Sequence, residues 1–160
     1  MKNIIFFYII MFFIACNNSS DKRADEEMAK DTFAFGESPM DTLIFWNVNE
    51  EAGTRKKVLT EPIEHPNVQA IINGLNMLYP DVILQYGNIT NDTLNLTIPQ
   101  SETLTYKMGS AGASQYFATA CINLFEIPSI NYIHFDFTEG DHAKPGTFNR
   151  NQFTDIKEMK

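Results

Sequence analysis

The chain begins with a twelve-residue apolar run that divides it into two unequal parts. Residues 4–15 (IIFFYIIMFFIA) follow a positively charged start at Lys2, and the polar sequence NNSSDKR comes directly after Cys16. A membrane-spanning helix needs about 20 apolar residues, so this run is too short to cross a bilayer comfortably. Its length, charge and flanks are typical of a secretory signal peptide, and we expect residues 1–15 to be removed.

Cys16 stands where such a signal peptide would be cleaved. The small residue Ala15 followed by this cysteine resembles a bacterial lipobox, with Phe13 where that signal usually has leucine. The resemblance implies a diacylglycerol on the Cys16 sulfur. Each buried CH₂ of an acyl chain contributes about 0.8 kcal/mol, so several chains hold a protein on a membrane durably. We therefore expect a lipid-anchored envelope protein on the outer membrane. The sequence does not decide between the periplasmic face and the cell surface. The alternatives are an ordinary signal peptide with an incidental cysteine and a short anchor that is not cleaved.

The acidic composition excludes several kinds of partner. The chain has 12 Lys or Arg and 20 Asp or Glu, a net charge of −8. A chain this acidic, with no basic stripe, is repelled by phosphate backbones, so nucleic-acid binding is disfavoured. A basic amphipathic membrane helix is disfavoured for the same reason. After the cysteine, residues 16–40 are polar with few large apolar side chains, which predicts a flexible tether.

From residue 41 the sequence alternates between strand and helix patterns. We predict strands at 42–48, 55–60, 82–86, 93–98 and 131–137, with 87–92 as a turn. One helix is predicted from Pro66 to Pro80, and a second from residues 109–112 to Pro128. The order β-β-α-β-β-α-β predicts an α+β fold, with two helices packed on one face of a mainly antiparallel sheet. Lysines in the second strand place it toward an edge. The domain is expected to cover 41–155, with a polar tail at 156–160.

Several sequence segments within this domain resemble those of the GerMN domain, a module of bacterial envelope lipoproteins named for a spore-germination protein. They are TLIFWNV…RKKVL, VQAIINGLNMLYP, DTLNLTI, MGSAGASQYFATACINLFEIP and INYIHFDFTEGDHAKPGTFNR. The resemblance covers 41–153. It implies a protein-interaction or assembly module of the envelope, with no catalytic residues to transfer and no cofactor. A role in germination is not implied, because this chain has a lipid anchor and one domain copy.

Catalytic and metal-binding patterns are weak in the sequence, and we expect a protein that is not an enzyme. His134 and Asp136 share one strand face near Asp141 and His142, which permits a metal site but more simply indicates an exposed polar face. Three acids, Glu102, Glu139 and Asp141, suggest a hydrolytic carboxylate pair or, more simply, surface charge.

The remaining candidates are a cysteine and two glycine-bearing segments. Cys121 lies on the apolar stripe of the second helix and is predicted to be buried rather than reactive. Residues 109–112 offer backbone N–H groups to an anion, although Ser110 as a helix cap is the favoured interpretation. Gly140 and Gly146 are expected to supply positive φ in a loop that either recognises a partner or, more simply, returns the chain so that Phe148 and Phe153 pack on the sheet.

The sequence thus predicts an interaction surface rather than an active site. Its members are Tyr132, His134, Asp136, Asp141, His142 and Arg150. The expected partner is another envelope protein or a second copy of the chain. The alternative is a lipoprotein that binds a small ligand or a glycan in a shallow site lined by Trp46 and Tyr132.

Overall fold

The computed structural model describes residues 42–160. The predictions for Cys16, for the signal peptide at 1–15 and for the tether at 16–40 lie outside the described residues. The elements follow the order β1 (Trp46–Asn49), β2 (Thr54–Lys57), α1 (Val68–Leu78), β3 (Gln85–Thr90), β4 (Thr93–Thr97), a π-helix (Thr103–Lys107), α2 (Gly109–Leu124), β5 (Tyr132–Asp136), β6 (Gly146–Asn149) and β7 (Lys157–Glu158). This mixture of helices and largely antiparallel strands confirms the predicted α+β class.

The strands form two sheets where the sequence predicts one. The first has the order β1-β2-β7 and the second the order β3-β4-β5-β6. Strands β4 and β5 are parallel, which requires a crossover connection, and the chain makes that crossover through the π-helix and α2. Strand β2 lies between β1 and β7 and not at an edge, because residues 157–158 pair with it in parallel. Ile156 is also buried, so the segment expected to be a polar tail belongs to the folded domain.

Alternation of apolar and polar residues in β4 and β5 determines which face of the second sheet meets the core. Leu94 and Leu96 of β4 are fully buried, as are Ile133 and Phe135 of β5, and the residues between them lie on the other face. These are the faces that the sequence pattern predicts. The second sheet therefore has one face in the core and one polar face outside it.

Strand β3 begins and ends later than the sequence predicts. Gly87 suggests a turn, but it lies inside β3 at an irregularity in the pairing with β4. A Cβ at Gly87 would lie 2.8 Å from the carbonyl oxygen of Asn95, so the close approach of the two strands requires glycine here. The real turn is Asn91–Asp92, where Asn91 adopts a φ of 57°, a conformation that asparagine tolerates.

Helix α1 also contains a glycine that its neighbours require. The helix begins after Asn67, whose side chain accepts a hydrogen bond from the Gln69 amide at 2.8 Å. Gly74 lies mid-helix, and a Cβ there would lie 2.5 Å from the carbonyl oxygen of Leu43. The segment leading into β1 therefore crosses the helix at Gly74. This close contact explains why glycine stands here, although glycine inside a helix lowers its stability by about 1 kcal/mol relative to alanine.

Helix α2 forms the centre of the core. Every residue from Tyr116 to Phe125 is buried, because the helix contacts both sheets. On one side its Phe117 ring lies 5.2 Å from that of Phe135 in β5 and 5.0 Å from that of Phe148 in β6. On another side the helix packs against β1. Its burial on nearly all sides goes beyond the single apolar stripe that the sequence indicates.

Candidate functional site

The outer face of the second sheet carries three of the residues predicted to form an interaction surface. Tyr132 and Asp136 of β5 are exposed and His134 between them is half-buried, all on the face opposite Phe135. The His134 Nδ1 lies 2.9 Å from Thr147 Oγ1 on the neighbouring strand. The pairing register extends this row across four strands, from Asn88 through Asn95 and His134 to Thr147. The structure therefore brings these three residues together on a polar face.

Asp141 and His142 belong to a different part of the molecule. They lie in the loop before β6, which borders a cleft of about 300 Å³ that includes Phe117 of α2. Since Phe117 packs on the core side of β5, this cleft opens on the helix side of the sheet. The structure does not join Asp141 and His142 to the face that carries His134.

This loop is held close to the π-helix. The His142 amide donates to the Thr105 carbonyl at 3.0 Å, and the Gly140 amide donates to Ala143. A Cβ at Gly140 would lie 2.7 Å from side-chain atoms of Thr105 and Tyr106. Positive φ values among the described glycines belong to residues 53 and 109, so the expectation for Gly140 and Gly146 was wrong. Glycine is needed at 140 for close packing rather than for its φ.

Helix α2 begins without the serine cap that the sequence predicts. Its first residue is Gly109, and no side chain caps it. Ser110 instead places its Oγ 3.3 Å from His142 Nδ1. A hydrolytic serine needs a base that a third group orients, and among residues 42–160 no acid bonds to the other nitrogen of His142. The pair therefore joins the loop to the helix.

The metal and carboxylate groupings considered from the sequence are not assembled. Within the described part of the chain, no three His, Cys, Asp or Glu side chains are placed to hold a metal ion. Glu102 forms an exposed ion pair with Lys107, with 3.3 Å between the charged atoms, and Glu139 and Asp141 are exposed on the loop. These acids are surface charges in this structure.

Cys121 is fully buried in α2, as its position on the apolar stripe predicts. Burial raises the pKa of its thiol well above the usual value, because the charged form loses its hydration. The reactive thiolate is therefore suppressed.

Arg150 is half-buried and its guanidinium binds backbone carbonyls. It donates to the carbonyls of Phe125, Ile127 and Ile130, with the Ile127 bond at 2.8 Å. These carbonyls lie in the segment that follows α2 and leads into β5. The Arg150 Cζ also lies 5.3 Å from the centre of the Phe125 ring. Arg150 therefore holds this segment in place after the C-terminal end of α2.

Trp46 and Tyr132 do not line one site. Trp46 lies in β1 of the first sheet and is 5% exposed, whereas Tyr132 lies in β5 of the second sheet and is 44% exposed. The indole Nε1 of Trp46 donates to Glu126 Oε1 at 2.8 Å, and the guanidinium of Arg55 covers its ring at 4.5 Å. The predicted pairing of these two aromatic residues was wrong, because β1 and β5 belong to separate sheets.

The outer edge of β1 is closed by side-chain amides from α2. Asn123 accepts from the Trp46 amide at 2.9 Å and donates to the Trp46 carbonyl at 3.0 Å. Gln115 donates to the Val48 carbonyl at 2.9 Å and accepts from the Glu50 amide at 2.8 Å. These two residues take the place of a further strand, so this edge has few backbone groups left for a partner.

The outer edge of β3 is open beyond the residue that precedes the strand. Asn76 of α1 donates to the Leu84 carbonyl at 3.0 Å and accepts from the Leu84 amide at 2.8 Å, but within residues 42–160 no side chain bonds the backbone of β3 itself. All six of its residues are exposed, and among the described strands β3 pairs only with β4. The strand QYGNIT contains no charge and no proline, the usual means by which proteins block an edge. Tyr86 and Ile89, which pair with core leucines of β4, are 47% and 41% exposed. Sequence reasoning missed this edge because Gly87 suggested a turn.

Comparison with protein-family models, curated proteins and solved structures finds no match to the chain. Among the helices that the structure describes, none has the length and apolar character needed to cross a membrane.

Proposed function

We propose that the chain is a membrane-anchored lipoprotein of the bacterial envelope whose GerMN-like domain is a non-catalytic interaction or assembly module. The observation that carries the proposal is the open edge of β3 (Gln85–Thr90). The molecule closes β1 with Asn123 and Gln115, yet leaves a longer, uncharged strand exposed in the second sheet. An unpaired edge of this kind accepts an extended strand, with main-chain hydrogen bonds supplying affinity and alternate side chains supplying specificity.

The chemistry of β3 determines what partner it suits. Tyr86 and Ile89 offer apolar contacts on one face, and Asn88 offers an amide on the other. A partner strand with apolar residues at alternate positions matches this arrangement. Because the strand is uncharged, a second copy of the chain meets no direct repulsion between the paired residues, despite the overall charge of −8. Both a second copy and another envelope protein fit this requirement.

Photo-crosslinking in intact cells tests the use of this edge. A crosslinking amino acid at Asn88 is expected to give a discrete adduct with a second copy or with another protein. Ile89→Lys places a charge on the edge and is expected to reduce that adduct by about ten-fold, equal to about 1.4 kcal/mol. Val58→Lys is the matched control, because Val58 is also an exposed apolar residue, 56% against 41% for Ile89, but lies outside the second sheet. Equal yields from both variants would contradict a role for β3.

The lipid anchor is tested at the amino terminus. Mass spectrometry of the detergent-extracted protein is expected to find a mature chain that begins at Cys16, with a diacylglycerol on its sulfur. Cys16→Ser is expected to abolish both the modification and the cleavage, because serine lacks the thiol that is acylated. A mature chain with a free Cys16 thiol, recovered without detergent, would contradict the anchor while leaving the β3 experiment unaffected.

A second candidate function is binding of a small ligand or a glycan at the outer end of the second sheet. Tyr132 is exposed beside a depression of about 260 Å³ that Asn131, Asn149 and Asn151 also line. An exposed tyrosine with amides around it provides a ring face and hydrogen-bonding groups, as polar ligand sites require. The depression is shallow, so we rank this function second.

A further inference from the structure

The cleft beside Arg55 has no role in the functions proposed above. It has a volume of about 470 Å³ and lies between the C-terminal half of α2, strands β2 and β7, and the segment 150–156. We propose that this cleft binds a carboxylate carried on an apolar group, with the guanidinium of Arg55 as the anion-binding group. The proposal does not rest on the lipid anchor or on the β3 edge.

Arg55 is fixed in position but lacks hydrogen-bond partners. Its guanidinium lies 4.5 Å from the centre of the Trp46 ring, and Glu126 holds that ring by accepting from Nε1 at 2.8 Å. The Nε of Arg55 is shielded from solvent and bonds to no atom of residues 42–160. Within the same residues no acid lies within 4 Å of its charged nitrogens. Because the Nε is shielded from the cleft as well as from water, a ligand would be bound by the terminal nitrogens of the guanidinium, which also form no hydrogen bond within residues 42–160.

The other cations of the cleft have hydrogen-bond partners in the protein. Lys157 donates one of its three N–H groups to the Thr154 carbonyl, and Arg150 donates to carbonyls beyond the end of α2. Arg55 differs from both because its guanidinium has no acceptor within residues 42–160. The planar guanidinium matches a carboxylate, which accepts two parallel N–H bonds from it. Stacking on Trp46 holds the guanidinium plane in place before any ligand arrives.

The charge of the cleft favours an anion. Three cationic side chains (Arg55, Arg150 and Lys157) line the cleft with two acidic ones (Glu126 and Glu158), which leaves an excess of one positive charge. The assignment to a carboxylate on an apolar group rests on the planar guanidinium of Arg55 and on the apolar wall beside it.

Apolar side chains supply the remaining wall. Ile122 and Phe125 come from α2, and Phe153 and Ile156 come from the segment after β6. Ligand sites commonly combine such a wall with a few polar groups that fix orientation. A carboxylate bound by Arg55 therefore carries its apolar part against these residues. Two sources provide this chemistry, the C-terminal carboxylate of a polypeptide that ends in an apolar residue and a free small acid.

The only tryptophan of the chain reports directly on this site, because Arg55 covers its ring. Three probes are titrated into the purified full-length mature protein while Trp46 fluorescence is recorded. They are the peptide acetyl-Ala-Ala-Leu with a free C-terminus, the same peptide as its C-terminal amide, and 4-methylpentanoate. A saturable change with the free-acid peptide alone assigns a polypeptide C-terminus. A saturable change with both acids assigns a free small carboxylate. The amide is expected to give no response.

Two variants locate the binding in the cleft. Arg55→Met keeps an apolar cover on Trp46 and is expected to weaken binding of the acid by at least about ten-fold. Lys57→Met is the matched control, because Lys57 also lies over the Trp46 ring, at 5.9 Å, but does not line the cleft. Its affinity for the acid is expected to remain within about two-fold of the unsubstituted protein.

Three results would overturn the proposal. They are equal responses to the free-acid and amide peptides, acid binding that Arg55→Met leaves intact, and inorganic phosphate binding more tightly than either acid. If Arg55→Met fails to fold, the comparison of acid with amide on the unsubstituted protein still decides, because it requires no variant. The crosslinked adduct at β3 tests the proposed interaction module, whereas the fluorescence response of Trp46 tests ligand binding in the cleft. Failure of one proposal therefore does not affect the other.

Discussion

Replacing Asn123 by alanine is expected to lower the free energy of unfolding by about 3–4 kcal/mol. The side chain of Asn123 is fully buried and uses all four of its hydrogen-bonding positions. Its Oδ1 accepts from the amides of Phe45 and Trp46, and its Nδ2 donates to the carbonyls of Trp46 and Thr119. Alanine leaves three backbone groups at the start of β1 without partners, at about 1–3 kcal/mol each, with some recovery through water.

Urea unfolding of the mature protein measures this effect. Asn47→Ala is the control, since Asn47 is an exposed asparagine of β1 and its loss is expected to change stability by no more than about 0.5 kcal/mol. Asn123→Leu separates hydrogen bonding from volume, because leucine fills the space without bonding to β1. We expect Asn123→Leu to be as unstable as the alanine variant. Stability close to that of the unsubstituted protein in the leucine variant would show that Asn123 acts by packing alone.

The importance of Asn123 could have been inferred from the sequence, but the surrounding apolar residues drew attention only to packing. A polar residue between Cys121 and Leu124, inside a buried helix, is costly unless it is hydrogen-bonded, so it implies a partner. What the sequence cannot supply is the partner itself. The bonded residues lie 77 and 78 positions away along the chain, and the period of a helix says nothing about contacts at that distance.

Local patterns predicted the fold where periodicity was strong. Strand β4 alternates cleanly through Leu94 and Leu96, and the structure buries those residues. Strand β7 has two residues, too few for any period to appear, and its pairing with β2 depends on a distant segment. The same limit applies to Gly87, whose close approach to Asn95 is visible only in three dimensions. The class of fold follows from the sequence, whereas the division into two sheets follows from long-range pairing.

The residues predicted to form an interaction surface lie together only in part, because only local patterns could be read from the sequence. Tyr132, His134 and Asp136 share a face because strand alternation is local. Asp141 and His142 face elsewhere, since the loop that carries them bonds to Thr105 of the π-helix. A π-helix has no distinct sequence pattern, so the sequence did not place this loop.

Replacing Arg150 by methionine is expected to lower the free energy of unfolding by about 2–3 kcal/mol. The guanidinium binds the carbonyls of Phe125, Ile127 and Ile130 between α2 and β5. The Ile127 carbonyl also accepts from the Ile130 amide at 3.2 Å, so the carbonyls of Phe125 and Ile130 are the acceptors that the substitution leaves unpaired. Methionine keeps much of the apolar stem, so the loss comes from unpaired acceptors and from removing a positive charge near a helix C-terminus.

Arg150→Lys distinguishes charge from geometry. Lysine restores a positive charge near the end of α2, worth about 0.3–1 kcal/mol, but its single ammonium cannot reach three carbonyls at once. We therefore expect it to recover less than half of the loss. Lys144→Met is the control, because Lys144 is an exposed cation with no hydrogen bond in the described structure, and its stability is expected to be unchanged within about 0.5 kcal/mol. If Arg150→Met unfolds like the unsubstituted protein yet loses the crosslinked partner, Arg150 acts in recognition as the sequence predicted, and its contacts to the carbonyls contribute little to stability.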